Sequence, residues 1–221
     1  MNQGEGSAGQ AGVRFFSKMS ASISHDIKNV LAVINENAGL LDDLCLMVAR
    51  GKPLDPGRVK RLAGDIQEQV RRGDQIVATM NKFAHSADSE SMPIELGALL
   101  DLLAALSQRS ASMRGVRLEI QRPAAHVSVT TSPFVLLNLL WICMDYALTA
   151  LGAQKTLEIA AEKTNEGARL CFRKLPEMGT AARPFPAEPE NLLTGVLNAQ
   201  IRLDSDSKEV IISLPDDIYA T

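Results

Sequence analysis

The chain is short of what disulfides, zinc sites and nucleic-acid contacts require. Its 221 residues include only three cysteines, Cys45, Cys143 and Cys171, an odd number set far apart with no Cys-x-x-Cys pair. That pattern supports neither a disulfide framework nor a zinc site; it suits a reducing cytoplasm, with the thiols expected as small buried apolar groups. Basic residues are outnumbered, 23 Lys and Arg against 26 Asp and Glu, for a formal charge of -3. The basic surface that would neutralise nucleic-acid phosphates is therefore missing. Long apolar runs are missing too: Val135 to Met144 is broken by Asn138 and ended by Asp145, so it reads as a core helix and not a membrane span. Met1 to Gly12 lacks the apolar centre of a signal peptide and, rich in Gly, Ala, Ser and Gln, is expected to be disordered. A soluble, cytoplasmic protein is the expectation. With 46% hydrophobic residues the chain can build one large or two small cores.

What is present is a long helical periodicity. Phe16, Met19, Ile23, Ile27, Val30, Ile34, Leu41, Leu44 and Val48 recur at three and four, interrupted only by Asn37. Gly51, Asp55 and Pro56 then supply a C′ residue, an N-cap and a first-turn proline. A second stripe follows in Val59, Leu62, Ile66, Val70, Gly73, Val77, Met80 and Ala84. The two segments predict an antiparallel hairpin, Asp55 to Ala84 against the first helix. Each seam keeps an open flank that a second hairpin would close, which predicts a homodimeric four-helix bundle; a monomer whose second domain folds back on the hairpin satisfies the same apolar count.

At about 100° per residue, a helix that buries Ile23 and Ile27 turns His25 about 180° from the seam. Asn29 follows one turn later, and Lys18, Ala21, Ser22, Lys28 and Ala32 fall on the same outward side. The histidine therefore sits among small and polar side chains that let another protein surface approach; Lys18, Ser22, Lys28 and Ala32 are the candidate partner-binding residues.

The run from Phe16 to Leu31, F-S-K-M-S-x-x-x-S-H-D-I-K-N-V-L, resembles the phosphoacceptor helix of two-component sensor histidine kinases. The segment from Val13 to Ala84 resembles their dimerisation and histidine-phosphotransfer hairpin. The resemblance implies that His25 is the phosphoacceptor, that Asp26 orients or charge-balances its ring, and that Lys28 meets phosphate oxygens or a receiver acid. Asn29 resembles the group that positions water in kinases with phosphatase activity. Where the family has a proline this chain has Val30, so a straighter first helix is expected.

His85 to Ser91 reads as a polar linker, giving an expected hairpin domain at 13–85, a linker at 86–92 and a second domain at 93–221. In the second domain Leu96 to Met113 and Phe134 to Leu151 predict helices, and Glu190 to Gln200 a last short one. Alternation at Val116–Leu118–Ile120, Val127–Val129, Leu157–Ile159, Leu170–Phe172 and Val210–Ile212–Leu214 predicts strands. The fold class expected is α+β, a hairpin followed by a small α/β sandwich with helices on one face of a mixed sheet. This half resembles the ATP-binding domain of histidine kinases, with departures. Ile142 and Tyr146 stand where the family has two metal-binding asparagines, Leu175-Pro176-Glu177-Met178-Gly179 replaces the Asp-x-Gly-x-Gly box, and Ala182 to Glu190 replaces the glycine-rich lid. The parts that cradle phosphate and magnesium are absent, so the domain is expected to be a degenerate, nucleotide-free remnant.

Both halves together resemble the ChpT-like histidine phosphotransferases, which look like dimeric kinases without ATP binding. That resemblance implies a phosphohistidine intermediate on His25, with no ATP-dependent autokinase activity. The implied partners are response-regulator receiver domains and the receiver of a hybrid histidine kinase; Mg²⁺ comes with the receiver, and the chain needs no cofactor or metal of its own. Two other readings fit the same residues: a response-regulator phosphatase that uses Asn29 and water, and a non-catalytic dimeric adaptor or pseudokinase that binds receivers. His85, His126 and the Arg71-Arg72 pair carry no assigned role.

Overall fold

Gly51 and Asp55 make the turn from which the helical unit is built. In the computed structural model, which describes residues 3–122, 126–179 and 184–219 and side chains from residue 9 onward, helix α1 spans Gln3–Ala49 and α2 spans Pro56–His85. Gly51 adopts φ +81°, which permits a Schellman ending: Lys52 N–H donates to Met47 O at 3.1 Å and Gly51 N–H to Val48 O at 2.9 Å. Asp55 then caps α2, its Oδ1 accepting from Gly57 N–H at 2.9 Å, with Pro56 at the first helical position. As expected without a proline, α1 runs unbroken through Val30.

The chain divides into two compact units, one covering Ser17–Lys82 and the other joining the residues up to Phe16 to those from Phe83 onward. The division falls inside the expected limits of 13–85, because Phe15 and Phe83 pack within the second unit. In the helical unit Met19, Ile23, Val30, Leu44 and Leu62 are buried, and Ile27, Ile34, Leu41, Val59 and Ile66 half-buried. Gly73 lies against Val30, whose Cγ1 would stand 3.4 Å from an added Cβ. Val48, Val70, Val77 and Met80 belong to the same periodic stripes yet are exposed.

Other expectations change as well. Helix α1 begins at Gln3, inside the stretch expected to be disordered. Its glycines disfavour helix, but its base is anchored: Gly12 lies close to Phe134, and Phe15 is 2% exposed. Phe16, assigned to the seam, is instead exposed, and Phe15 takes the buried place. Cys45, expected to be buried, is exposed; one step past buried Leu44 turns it about 100° off the seam.

In the second unit, β1 (Met92–Glu95) leads into α3 (Leu96–Met113), whose first amides, Gly97 N–H and Ala98 N–H, donate to the Glu95 carboxylate at 3.0 and 2.6 Å. Strands β2 (Arg117–Gln121) and β3 (Ser128–Thr131) follow, then α4 (Pro133–Ala150), β4 (Thr156–Thr164), β5 (Gly167–Arg173), α5 (Glu188–Val196), β6 (Gln200–Asp204) and β7 (Glu209–Pro215). The main sheet has the order β2-β4-β5-β7-β6; β2 and β4 are parallel and the other pairs antiparallel. Strands β1 and β3 form a separate antiparallel pair with Ile94 opposite Val129. One sheet face carries Leu157, Ile159, Leu170, Phe172, Val210 and Ile212, all fully buried. Helix α4 is buried on several sides at once, with Leu136, Leu137, Leu139, Leu140 and Cys143 at 0% exposure. Among the described residues α4 is also the one helix long and apolar enough to cross a membrane, but 67% of it is buried inside the fold, as in a core helix.

At the base of α1 five aromatic rings meet. Phe15 contacts Phe83 edge-on at 5.4 Å, Phe134 at 5.5 Å and Trp141 at 5.6 Å, and Phe16 stacks on Phe83 at 5.5 Å.

Candidate functional site

The candidate residues share one helix, so backbone periodicity alone sets their spacing. Lys18, Ser22, His25, Asn29 and Ala32 follow one another at four, three, four and three residues on α1, a stripe within about 80° of arc. Lys18, His25, Lys28, Asn29 and Ala32 are exposed, Ala21 with them, and Ser22 is half-buried. The His25 side chain keeps 50% of its exposure and that of Asp26 28%. The ring thus lies opposite buried Ile23, as helix phase requires.

Two groups gather at one nitrogen of this ring. Asn29 Nδ2 lies 3.0 Å from His25 Nδ1, an i,i+4 contact along the helix. Asp26 Oδ1 is 3.8 Å from the same nitrogen, too far for a direct hydrogen bond but within ion-pair range of a protonated ring. Nε2, the ring's other nitrogen, lies across the imidazole from these two contacts. Lys28 adds a cation on the same exposed helix surface. A histidine so arranged can act as a nucleophile or as a proton carrier. Among the described residues no three His, Cys, Asp or Glu side chains stand together as metal ligands.

The second candidate region lies on α4, around Ile142 and Tyr146. Tyr146 is 5% exposed and stacks on Phe185 with centroids 4.1 Å apart and planes 11° from parallel. Its hydroxyl accepts a hydrogen bond from Gly179 N–H at 3.2 Å, so the phenol oxygen is committed to the turn that follows β5. Ile142 is half-buried one turn earlier, and Leu175 is fully buried. The start of the connection that replaces the lid, at Ala182, lies outside the described residues; from Phe185 it packs on Tyr146 and continues into α5. Glu190 closes that helix start, accepting from Ala187 N–H at 2.7 Å.

Sequence reasoning missed the aromatic cluster at Phe15 and the Tyr146–Phe185 stack. The first carried a signal, two adjacent phenylalanines of which helix phase admits either. The second carried none, because it joins a helix to a loop far along the chain. The Asn29–His25 contact was legible in their one-turn spacing.

No family model and no curated protein matches this sequence. Solved structures do. A bacterial phosphotransferase structure is 14% identical, with 90% of this chain and 95% of that chain covered at a TM-score of 0.50. Histidine kinase AdeS of Acinetobacter baumannii is 14% identical over 81% of this chain and 95% of its own, at 0.46. The catalytic domain of histidine kinase ThkA is 11% identical over 59% of this chain and 98% of its own, at 0.48. The first match extends through both units, and the architecture it shares with this chain is a helical hairpin followed by an α/β sandwich.

Proposed function

We propose that this chain is a histidine phosphotransfer protein: His25 accepts a phosphoryl group from the aspartate of one receiver domain and passes it to another. The observation that carries the reading is the exposed His25 ring held at Nδ1 by Asn29 and flanked by Asp26, on a long helix whose opposite side is buried. The resemblance of the Ser24-His25-Asp26-Ile27-Lys28-Asn29 run to a phosphoacceptor motif supports it, as does a fold shared with a structure named a phosphotransferase.

Receiver domains are the partners in this reading, with Mg²⁺ held by the receiver; the exposed residues Lys18, Lys28 and Ala32 and half-buried Ser22 form the docking surface. The α/β unit acts without nucleotide, since hydrocarbon at Ile142 and a committed phenol at Tyr146 stand where metal-binding amides are needed. The cytoplasm is its compartment. A second copy covers Val70, Val77 and Met80, whose exposures of 49%, 46% and 43% form an apolar stripe along α2. Val77→Lys is expected to halve the mass measured by light scattering, and an unchanged mass would remove that stripe from the interface.

The deciding assay incubates the protein with a labelled receiver phosphate. Label that moves to the protein, resists base, is lost in acid and is absent from His25→Ala supports transfer. Free phosphate without labelled protein makes the chain a receiver phosphatase, and unchanged receiver phosphate makes it an adaptor.

A further inference from the structure

The contact between Asn29 and His25 ties the ring's tautomer to the orientation of the amide. Asn29 presents its NH₂ group to Nδ1 at 3.0 Å. A carboxamide NH₂ only donates, so the nitrogen it meets must accept; a neutral imidazole that accepts at Nδ1 carries its proton on Nε2. In that tautomer Nε2 has no lone pair to give, and the lone pair on Nδ1 is taken up by the amide. Turned half a revolution about its terminal bond, the same carboxamide offers Oδ1 in place of Nδ2, since its two ends have nearly the same size. It then accepts from Nδ1–H, and the lone pair moves to Nε2. The Asp26 carboxylate, 3.8 Å from Nδ1, only accepts when ionised, so its field favours this second arrangement.

We propose that Asn29 is a tautomer switch for His25: the amide orientation with NH₂ toward the ring keeps His25 silent toward phosphoryl groups, and the turned amide arms it. Asn29 is on this account a positioning residue, and the inference rests on the phosphotransfer reading of His25. In the armed form the Nε2 lone pair forms the N–P bond as the P–O bond to the receiver's aspartate breaks. That carboxylate leaves with the bonding pair, and the positive charge on the ring is shared through Nδ1–H with Asn29 Oδ1 and with Asp26. Deprotonation of Nδ1 to solvent completes neutral phosphohistidine. An amide engaged with Nδ1 in either orientation is also withheld from a hydrolytic water, so both positions of the switch disfavour hydrolysis.

The test reads the tautomer directly. Full-length protein labelled with ¹⁵N in its histidine rings is recorded by two-bond proton–nitrogen correlation at a pH where the rings are neutral; His25→Ala identifies the His25 signals among the three histidines. Pyridine-type and pyrrole-type nitrogens resonate far apart, and the wild type is expected to show the pyridine type at Nδ1. Asn29→Leu removes the amide at an exposed position that a good helix former fills, and Asn29→Asp keeps its shape with acceptors only. Both are expected to move the pyridine-type signal to Nε2. A hydrogen bond of ordinary net strength biases two states about five-fold, so phosphoryl acceptance by Asn29→Leu from a phosphorylated receiver should rise by about that factor. A wild-type lone pair already on Nε2, or a tautomer unmoved in both variants, overturns the switch even where label still reaches His25. A tautomer that moves as described while no label reaches His25 in any variant upholds the switch at Asn29 and overturns the phosphotransfer reading instead.

Discussion

Truncating Phe15 should cost several times more than truncating its neighbour Phe16, although the two are chemically identical and adjacent on one helix. Phe15 is 2% exposed and has ring partners at 5.4, 5.5 and 5.6 Å in Phe83, Phe134 and Trp141. Replacing a fully buried phenylalanine by alanine costs about 3–5 kcal/mol in transfer and cavity terms. Three aromatic contacts place Phe15→Ala near the top of that range, because such pairs add about 0.5–1.5 kcal/mol each beyond burial. Phe16 is 46% exposed with one stacked partner, Phe83, so Phe16→Ala should lose about 1 kcal/mol. The assay is urea unfolding followed by the fluorescence of Trp141, the chain's single tryptophan and itself a member of the cluster. Equal losses for the two variants, or a loss below about 1 kcal/mol for Phe15→Ala, would refute the assignment of the cluster as the anchor of α1.

Gly64 lies inside α2 with nothing within 4 Å of an added Cβ, so Gly64→Ala should stabilise by about 1 kcal/mol and raise the melting temperature by about 2–4 °C. Native protein should react with a thiol reagent at one position, Cys45, and denatured protein at all three cysteines, since Cys143 and Cys171 are buried. Burial, reinforced by the Glu162 and Glu209 carboxylates against the opposing Arg173 and Arg169, pushes the Cys171 thiol from 9.0 up to about 11. Above pH 9 the unfolded chain has released that proton while the native state keeps it, so stability should fall from pH 9 to 11 by no more than about 1.4 kcal/mol per unit, and Cys171→Ala should remove this component. The double variant Ile142→Asn with Tyr146→Asn should bind no Mg-ATP in calorimetry while losing roughly 3 kcal/mol of stability, because the Tyr146–Phe185 stack goes and a buried amide replaces it.

The parts of the fold legible in the sequence are those decided by local physics. The span of α3, Leu96–Met113, follows from its leucine spacing and Gly115, and the hairpin turn from Gly51, Asp55 and Pro56. Strands β4, β5 and β7 carry their signal at Leu157–Ile159, Leu170–Phe172 and Val210–Ile212–Leu214. Strand β1 was not legible because Pro93 argues against a strand in four residues; it is tolerated in a two-stranded ribbon, which is all edge. Strand β6 was hidden because Ile201 and Leu203 alternate over only five residues, and the expected helix at Glu190 to Gln200 ran into them; α5 in fact ends at Val196. The stripe around His25 was legible for the same reason as α3, being contained in one helix. Long-range pairings such as Phe15 with Trp141 leave no periodic trace, and the choice between Phe15 and Phe16 was settled only by what packs against the helix base.

On the proposed reading the α/β unit works without nucleotide, and the packing around Tyr146 bears on how it would do so. A single lost ligand can be restored by a single substitution, whereas here three separate features oppose binding. Ile142 offers hydrocarbon where an oxygen ligand is needed, Tyr146 spends its hydroxyl on Gly179 N–H, and Phe185 lays a ring over the Tyr146 face. Two of these features meet at Tyr146: replacing it removes the partner of Phe185 and of Gly179 together, so opening that position loses stability before it gains a ligand. The histidine site shows the opposite economy. Its ring, amide and carboxylate lie within five consecutive residues of one helix, whose periodicity sets their spacing. On that reading the spacing of the three groups, set within α1, is insensitive to substitutions at Ile142, Tyr146 or Phe185 in the α/β unit.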